Sequence, residues 1–152
     1  INFRMRAMLV SVFCHHFDCD WREGVYHLAK LFLDYEPGIH FSQFQMQAGT
    51  TGINAIRIYN PIKQSYDHDE KGIFIKKWVK ELEFHTKEDI HEPWNVPPML
   101  KQINYNKCNY PDPVVDINKS SSEARKKIWN HRKLLSVKKD NYRILTTHTR
   151  NR

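Results

Sequence analysis

The stretch DWREGVYHLAKLFLDYEPG at residues 20–38 decides the fold. Asp20 can accept a hydrogen bond from the first turn of a helix, and Glu23 follows three residues later, as in a capping box. Apolar residues then recur at helical spacing and predict one buried stripe: Trp21, Val25, Leu28, Ala29 and Phe32. The pattern breaks after Leu33, where Pro37 and Gly38 mark a turn.

The residues before this stretch predict a second helix that pairs with it. Apolar side chains from Phe3 to Phe17 occur on most sides of the helical wheel, which is typical of a helix buried in a larger body. The chain starts within this pattern and without methionine, so we expect a fragment or a processed piece. A short link at 18–20 predicts an antiparallel hairpin that brings Asp34 back near Arg4. A guanidinium on so apolar a helix needs a partner, so we predict an Arg4–Asp34 ion pair, which by itself is a structural staple.

The sequence of the rest of the chain also predicts helices and coil. Residues 41–48 predict a short helix, and residues 70–82 predict an amphipathic one with Ile73, Trp78 and Leu82 buried. Five prolines between Ile90 and Pro113 predict short helical pieces and coil, and a final helix is expected from about Ser122 to Val137. Strand patterns are almost absent, so the predicted fold class is all-α and multi-helical.

Composition excludes several classes of protein. Hydrophobic residues make up 40% of the 152, so the chain is neither disordered nor a coiled coil. No apolar run is long enough to cross a membrane, and three cysteines suit a reducing, cytoplasmic compartment. Residues 101–152 hold 13 Lys and Arg against 4 Asp and Glu. That basic third of the chain fits either a solvated helix with a tail or a contact with phosphates.

One cluster of candidate metal ligands lies near the end of the first helix: Cys14, His15, His16, Cys19 and His27. A structural zinc site typically uses closely spaced Cys–Cys and His–His pairs, and this cluster has neither. Ordinary packing is the favoured interpretation, so no metal is predicted. The sequence also has no nucleophile elbow, phosphate loop or dinucleotide glycine motif.

A series of motifs gives the chain a family resemblance. They are FRMR at 3–6, DWREG at 20–24, LFLDYEPG at 31–38, FSQFQMQAGTTG at 41–52, RIYNPIKQSYDHDEKGIFIKKWVKEL at 57–82, IHEPW at 90–94 and YPDPVVD at 110–116. In this order they resemble the C-terminal part of the FAD-binding helical domain of the photolyase and cryptochrome family. Within it the chain looks most similar to bacterial short photolyase-like proteins. The resemblance covers residues 1–137, and residues 138–152 form a basic tail.

The resemblance implies roles for the flavin-side residues. Arg4 matches the arginine beside the flavin ring, which pairs with an aspartate, here Asp34. Glu36 matches an acidic flavin contact. His40 matches the position facing the reactive N5 atom of the flavin, which is asparagine in typical photolyases.

The resemblance also implies an electron-transfer chain and a departure from it. Trp21 matches the middle tryptophan of the relay that photoreduces FAD. Phe44 stands where the flavin-proximal tryptophan normally stands. Phenylalanine is far harder to oxidise, so the usual relay is expected to be broken at this step.

On the DNA side, some positions match the family and others depart from it. Ile1 occupies the place of a damage-contacting asparagine, and Met46 replaces a tryptophan that stacks near the lesion. The residues that the resemblance places near lesion or DNA backbone are Asn2, Met5, Met46, Arg57 and Gln64.

The resemblance implies a blue-light-driven DNA photolyase that splits UV-induced pyrimidine dimers by electron transfer from FAD, with UV-damaged DNA as partner. The alternative is a cryptochrome-like FAD photoreceptor without repair activity. A further possibility is that the isolated chain is an inactive helical fragment. The residues of the missing N-terminal part are expected to complete the flavin pocket, so we expect weak or no FAD binding by this chain alone.

Overall fold

The computed structural model describes residues 1–52, 54–104 and 110–149, and these residues form helices and connecting segments without any strand. This confirms the all-α prediction. The α-helices of the described ranges are α1 (Phe3–Ser11), α2 (Trp21–Leu31), α3 (Pro37–Gln47), α4 (Pro61–His68), α5 (Ile73–Trp78), α6 (Pro98–Asn104), α7 (Ile117–Lys133) and α8 (Leu135–His148). They divide into two compact units, residues 1–59 with 115–152 and residues 60–114.

Polar side chains fix where several helices begin. The carboxylate of Asp20 accepts the backbone N–H of Arg22 at 2.9 Å, which confirms the predicted cap of α2. Asn60 caps α4 just before a proline at the first helical position, and Asp116 caps α7. These caps satisfy backbone donors that have no partner inside the helix. The predicted short helix at 41–48 is longer than expected, since α3 already begins at Pro37.

Between α1 and α2 the chain makes a π-helical turn from Val12 to His16. Its closing bond joins the N–H of Phe17 to the carbonyl of Val12 at 3.1 Å, five residues earlier. The turn carries two buried histidines into the first unit. His15 Nε2 lies 2.7 Å from the carbonyl oxygen of Gln47, so the turn is tied to the end of α3.

The core of the first unit lies where α1, α2 and α3 meet. Val10, Val25 and Phe44 contribute one fully buried residue from each helix. Partly buried residues close the cluster: Cys14, Trp21, Leu28 and Phe41. The buried stripe predicted on α2 is confirmed for Trp21, Val25 and Leu28. The candidate site lies at the edge of this three-helix core.

The second unit corrects a prediction about burial. Leu82 is buried as expected, but Ile73 and Trp78 expose 68% and 64% of their surface. α5 ends at Trp78, because Val79 turns extended with φ −113° and ψ 92°. The amphipathic stripe read over residues 70–82 therefore does not continue along one helix, and Leu82 is buried from a separate 3₁₀ turn at Lys80–Leu82.

The C-terminal helices also differ from expectation. The single helix predicted at 122–137 is instead the end of α7 and the start of α8, separated by Leu134, whose ψ of 136° leaves the helical region. The boundary drawn at 137 falls inside α8, so residues 138–148 of the predicted basic tail are helical. Residues 150–152 of that tail lie outside the described residues. Asn141 of α8 lies against the loop after α3, where a Cβ added to Gly52 would sit 2.6 Å from its Oδ1 atom.

Over the described ranges, no helix is both long and apolar enough to cross a bilayer. Cys14 and Cys19 are free thiols.

Candidate cofactor-binding site

An ion pair links α1 to the segment between α2 and α3. A guanidinium nitrogen of Arg6 lies 2.5 Å from Oδ1 of Asp34, and the same guanidinium lies 4.4 Å from the ring centroid of Phe32. The hydrogen bond from Arg6 holds the pKa of the Asp34 carboxyl below its ordinary value. The prediction of Asp34 as the acid of this pair is confirmed.

The predicted base of the pair is wrong. Arg6, not Arg4, binds Asp34. Residues two apart on an α-helix are rotated by about 200° and lie on nearly opposite sides of it, so only one of the two arginines can face Asp34. The side chain of Arg6 is about one quarter exposed, whereas Arg4 lies on the exposed side of α1.

The carboxylate of Glu36 caps the N-terminus of α3. Its two oxygens accept the backbone N–H groups of Gly38 at 3.1 Å and Ile39 at 2.6 Å. A charged cap of this kind is favourable at a helix N-terminus. Its role as a flavin contact stays a prediction, and the structure adds a structural role that the sequence did not indicate.

His40 is a buried histidine with a fixed orientation. Its Nε2 atom lies 2.8 Å from the carbonyl oxygen of Val25. Because a carbonyl can only accept, Nε2 carries the hydrogen of this bond, and in the neutral ring Nδ1 is left as an acceptor. The ring packs against Phe44 at 4.8 Å and Tyr35 at 5.2 Å between centroids. His40 is therefore held rigidly between α2 and an aromatic wall.

These residues surround an open cavity of about 200 Å³. Its lining joins an apolar, largely aromatic wall to a polar edge: Phe3, Ala7, Val10, Phe32, Tyr35, Ile39 and Phe44 with Arg6, Asp34, Glu36, His40 and Gln43. Among the residues that the structure describes, two buried polar atoms of this lining have no hydrogen-bond partner, Nε of Arg6 and Oε1 of Gln43. A donor and an acceptor left unpaired in one cavity are costly unless a ligand satisfies them.

The cavity brings together four of the five predicted cofactor residues: Asp34, Glu36, His40 and Phe44. The fifth, Arg4, is not part of this lining, which contains Arg6, and the role of Arg4 toward the flavin stays a prediction. Sequence reasoning missed Gln43, although the glutamines at 43, 45 and 47 of α3 were a visible signal. Their spacing does not say which of them faces the cavity, because consecutive odd positions turn by about 200° each.

The two relay candidates meet in the core behind the cavity. Phe44 is 2% exposed and belongs both to the cavity wall and to the cluster with Val10 and Val25. Trp21, the first residue of α2, packs partly buried against the same cluster. The structure thus gives both residues a packing role, and their electron-transfer roles stay predictions.

The predicted DNA contacts are not part of the cavity lining. Asn2 is occupied as the cap of α1, where its Oδ1 accepts the N–H of Met5 at 3.0 Å. Met5 and Met46 are partly buried, and Ile1 and Arg57 are exposed. Gln64 lies on α4 of the second unit. None of these residues lines the cavity, and their roles toward DNA stay predictions.

The histidines of the candidate metal cluster make hydrogen bonds instead. His16 bonds through Nδ1 to the hydroxyl of Ser120 and through Nε2 to the carbonyl of Tyr59, each at 2.7 Å. Burial lowers the pKa of His15, which favours a neutral ring against the Gln47 carbonyl. In the part of the chain that the structure describes, no three His, Cys, Asp or Glu side chains are grouped to hold a metal ion.

Comparison with known proteins identifies the family of the chain. The sequence model for the FAD binding domain of DNA photolyase matches residues 1–130. The chain belongs to the photolyase and cryptochrome family. Its family resemblance is thereby confirmed, and FAD is the cofactor of the matched domain.

Individual relatives support the same family. The deoxyribodipyrimidine photo-lyase of Alkalihalophilus pseudofirmus is 33% identical over 80% of this chain and 26% of its own. The cryptochrome of Synechocystis sp. PCC6803 superposes with a TM-score of 0.76 at 26% identity, over 83% of this chain and 27% of that one. An archaeal photolyase from Sulfolobus tokodaii, solved with two FAD molecules, gives a TM-score of 0.73 at 28% identity, over 86% and 28% of the chains. The chain spans about a quarter of the length of the first curated relatives it matches.

The residues of the cavity fit a flavin. A flavin ring is flat and apolar on its faces, and its polar edge carries both acceptors and a donor, which suits the aromatic wall and the unpaired Arg6 and Gln43 atoms. At about 200 Å³ the cavity is smaller than the roughly 300–1,000 Å³ of a complete small-molecule site. The described residues alone therefore enclose less space than a complete small-molecule site.

Proposed function

We propose that this chain supplies one wall of the FAD site in a blue-light-driven DNA photolyase that splits UV-induced pyrimidine dimers. The observation that carries the proposal is the aromatic cavity edged by the Arg6–Asp34 pair, in a chain whose family is the FAD-binding domain of DNA photolyase. The deoxyribodipyrimidine photo-lyases among its relatives favour repair as the activity.

In this proposal each side chain holds the cofactor in a defined way. Arg6 is fixed by Asp34 and offers its unpaired Nε–H to an acceptor on the ring edge, while Gln43 offers Oε1 to a donor. The Val25 carbonyl orients His40, whose Nδ1 is the remaining acceptor of the ring. Bound FAD supplies the absorption of blue light and the electron that splits the dimer.

The substrate side of the proposal is UV-damaged DNA. Asn2, Met5, Met46, Arg57 and Gln64 are the proposed contacts to the lesion and its flanking backbone. A dimer must leave the duplex to approach a buried cofactor, and backbone contacts position the DNA while that happens. The free thiols of Cys14 and Cys19 suit a cytoplasmic, reducing location for such an enzyme.

The test uses the full-length protein that carries this chain. Wild type is expected to retain FAD and to remove dimers from a UV-irradiated oligonucleotide under blue light but not in the dark. Arg6→Gln is expected to lose most of the bound flavin, because it leaves Asp34 without its ion pair and removes the Nε donor. Arg22→Gln is the matched control, since it also removes an arginine that pairs with an aspartate but lies outside the cavity lining, and it is expected to keep the flavin. Equal flavin content in both variants would refute the assignment of Arg6, and flavin-loaded protein that leaves dimers intact in light would refute repair.

A cryptochrome-like photoreceptor without repair activity is the second candidate, and Phe44 favours it. A fully buried phenylalanine forms the cavity wall where the family resemblance implies a tryptophan. Phe44→Trp is expected to accelerate flavin photoreduction in the full-length protein, because indole is far easier to oxidise than a phenyl ring. An unchanged rate would mean that electrons already use another path, and flavin photoreduction without dimer loss in wild type would favour the photoreceptor.

A further inference from the structure

The helices α7 and α8 form a basic surface, and none of their residues lines the cavity. Together α7 and α8 carry nine lysine and arginine residues and two acidic ones. Within the described ranges, only Lys127 and Arg143 of this group have a carboxylate partner, Asp18 and Asp140. The family match ends at residue 130, so α8 and the end of α7 lie beyond it. Unpaired cations at this density favour a polyanionic partner.

The arrangement on α7 separates an inner face from an outer one. On the inner face Ala124 is buried and the hydroxyl of Ser120 bonds to His16 at 2.7 Å. At the exposed edge of this face, the ammonium of Lys127 lies 2.5 Å from Asp18, which follows the π-helical turn. The outer face is therefore held toward solvent.

The outer face carries lysines at regular intervals and one aromatic platform. Lys119, Lys126 and Lys133 follow each other at seven-residue spacing, which places them on one side of the helix about 10 Å apart. Trp129 lies three residues after Lys126 and four before Lys133, and 55% of it is exposed. The guanidinium of Arg132 lies 6.0 Å from its ring centroid.

We propose that the outer face of α7 binds single-stranded nucleic acid, with Lys119, Lys126 and Lys133 on phosphates and a base stacked on Trp129. Basic side chains that follow a backbone, interleaved with an exposed aromatic ring, are the combination that binds single strands without sequence preference. An anionic membrane is a poorer match. A helix that lies in a lipid interface needs an apolar stripe, and between Lys119 and Lys133 the one exposed large apolar side chain is Trp129.

This surface is distinct from the flavin cavity. α7 packs against the π-helical turn, through Ser120 and His16. Arg6 at the cavity edge precedes His16 by ten residues, which is about 15 Å along a helical axis. The proposal therefore adds a second nucleic-acid contact and does not depend on flavin chemistry.

The experiment measures binding of the full-length protein to a labelled, undamaged 20-nucleotide oligo-dT in the dark, by fluorescence anisotropy over a range of salt. Lys126→Gln/Lys133→Gln is expected to reduce the slope of log K against log salt by about 1.4, since each phosphate contact to a single strand contributes about 0.7. Trp129→Ala is expected to weaken binding roughly tenfold, and Trp129→Phe to keep most of the affinity. Lys71→Gln/Lys80→Gln makes the same charge change on the second unit and is expected to leave both quantities unchanged.

Several results would overturn the proposal. One is an equal slope and affinity for the α7 and control double variants. Another is loss of binding to phosphatidylserine vesicles with oligo-dT binding unchanged, which would assign the face to a membrane. A third is a lowered melting temperature of the α7 variants with unchanged oligo-dT binding. That result would mean that these side chains pack against the rest of the protein and do not contact nucleic acid. Because the probe is undamaged and kept dark, failure here is distinguishable from failure of the repair proposal.

Discussion

The substitution Phe44→Ala tests whether Phe44 stabilises the hydrophobic core as well as lining the cavity. Phe44 is 2% exposed and packs in the cluster with Val10 and Val25. Replacing a buried phenylalanine with alanine removes its transfer free energy and leaves a cavity, which together cost about 3–5 kcal/mol. Since total stabilities are about 5–15 kcal/mol, the helical domain should become marginal. The measurement is the free energy of unfolding of the full-length protein in urea, followed by circular dichroism.

The matched control for this experiment is Tyr26→Ala. Tyr26 makes an edge contact with Phe41 at 5.7 Å between ring centroids, but it is 64% exposed, so we expect a cost below about 1 kcal/mol. Phe44→Leu keeps most of the buried volume and is expected to cost less than about 1.5 kcal/mol. If Phe44→Ala cost no more than Tyr26→Ala while bound flavin fell, Phe44 would be a ligand contact only, and its place in the core would be refuted.

Two further predictions concern a charge and a backbone conformation. Asp34→Asn removes a carboxyl whose pKa lies below its ordinary 3.8, so the stability difference from wild type should be full at pH 7 and be lost as the pH falls through the lowered pKa of the folded state. A difference in thermal midpoint that does not shrink as the solution is acidified would contradict the Arg6 pairing. Gly72→Ala should destabilise by about 2–4 kcal/mol, because φ is +64° and the new Cβ would lie 2.7 Å from Ile90. Gly49→Ala, with φ +78° and open space, should cost only about 1 kcal/mol, and equal urea midpoints for the two would refute the clash.

The fold was largely readable from local chemistry. Asp20 marked the start of α2, and the stripe through Val25 predicted the face that is buried. The wrong predictions arose where the hydrophobic pattern continues in the sequence although the helix is interrupted. Trp78 shares a helical period with Leu82, but Val79 interrupts the helix, and no sequence rule anticipates that single extended residue.

Most residues of the candidate site were predictable from the sequence. The sequence did not indicate which arginine of α1 and which glutamine of α3 face the cavity. Asp34 was identified from the length of a hairpin, and its partner was misplaced by two positions. α1 is apolar on nearly all sides, so its pattern does not indicate which arginine faces inward. Gln43 was missed for a related reason, because only tertiary packing decides which glutamine of α3 lines a cavity.

The π-helical turn at Val12–His16 has a consequence for how positions in this family are compared. A wide turn contains one residue more than an α-helical turn, so it acts as a single-residue insertion that the fold absorbs without a loop. Deleting one residue here would convert the turn to α-helix and rotate His15 and His16 by about 100° away from their carbonyl partners. A relative that lacks the extra residue would need a gap within what looks like continuous helix. Matching residues across this turn by counting from one end shifts every position on the other side by one.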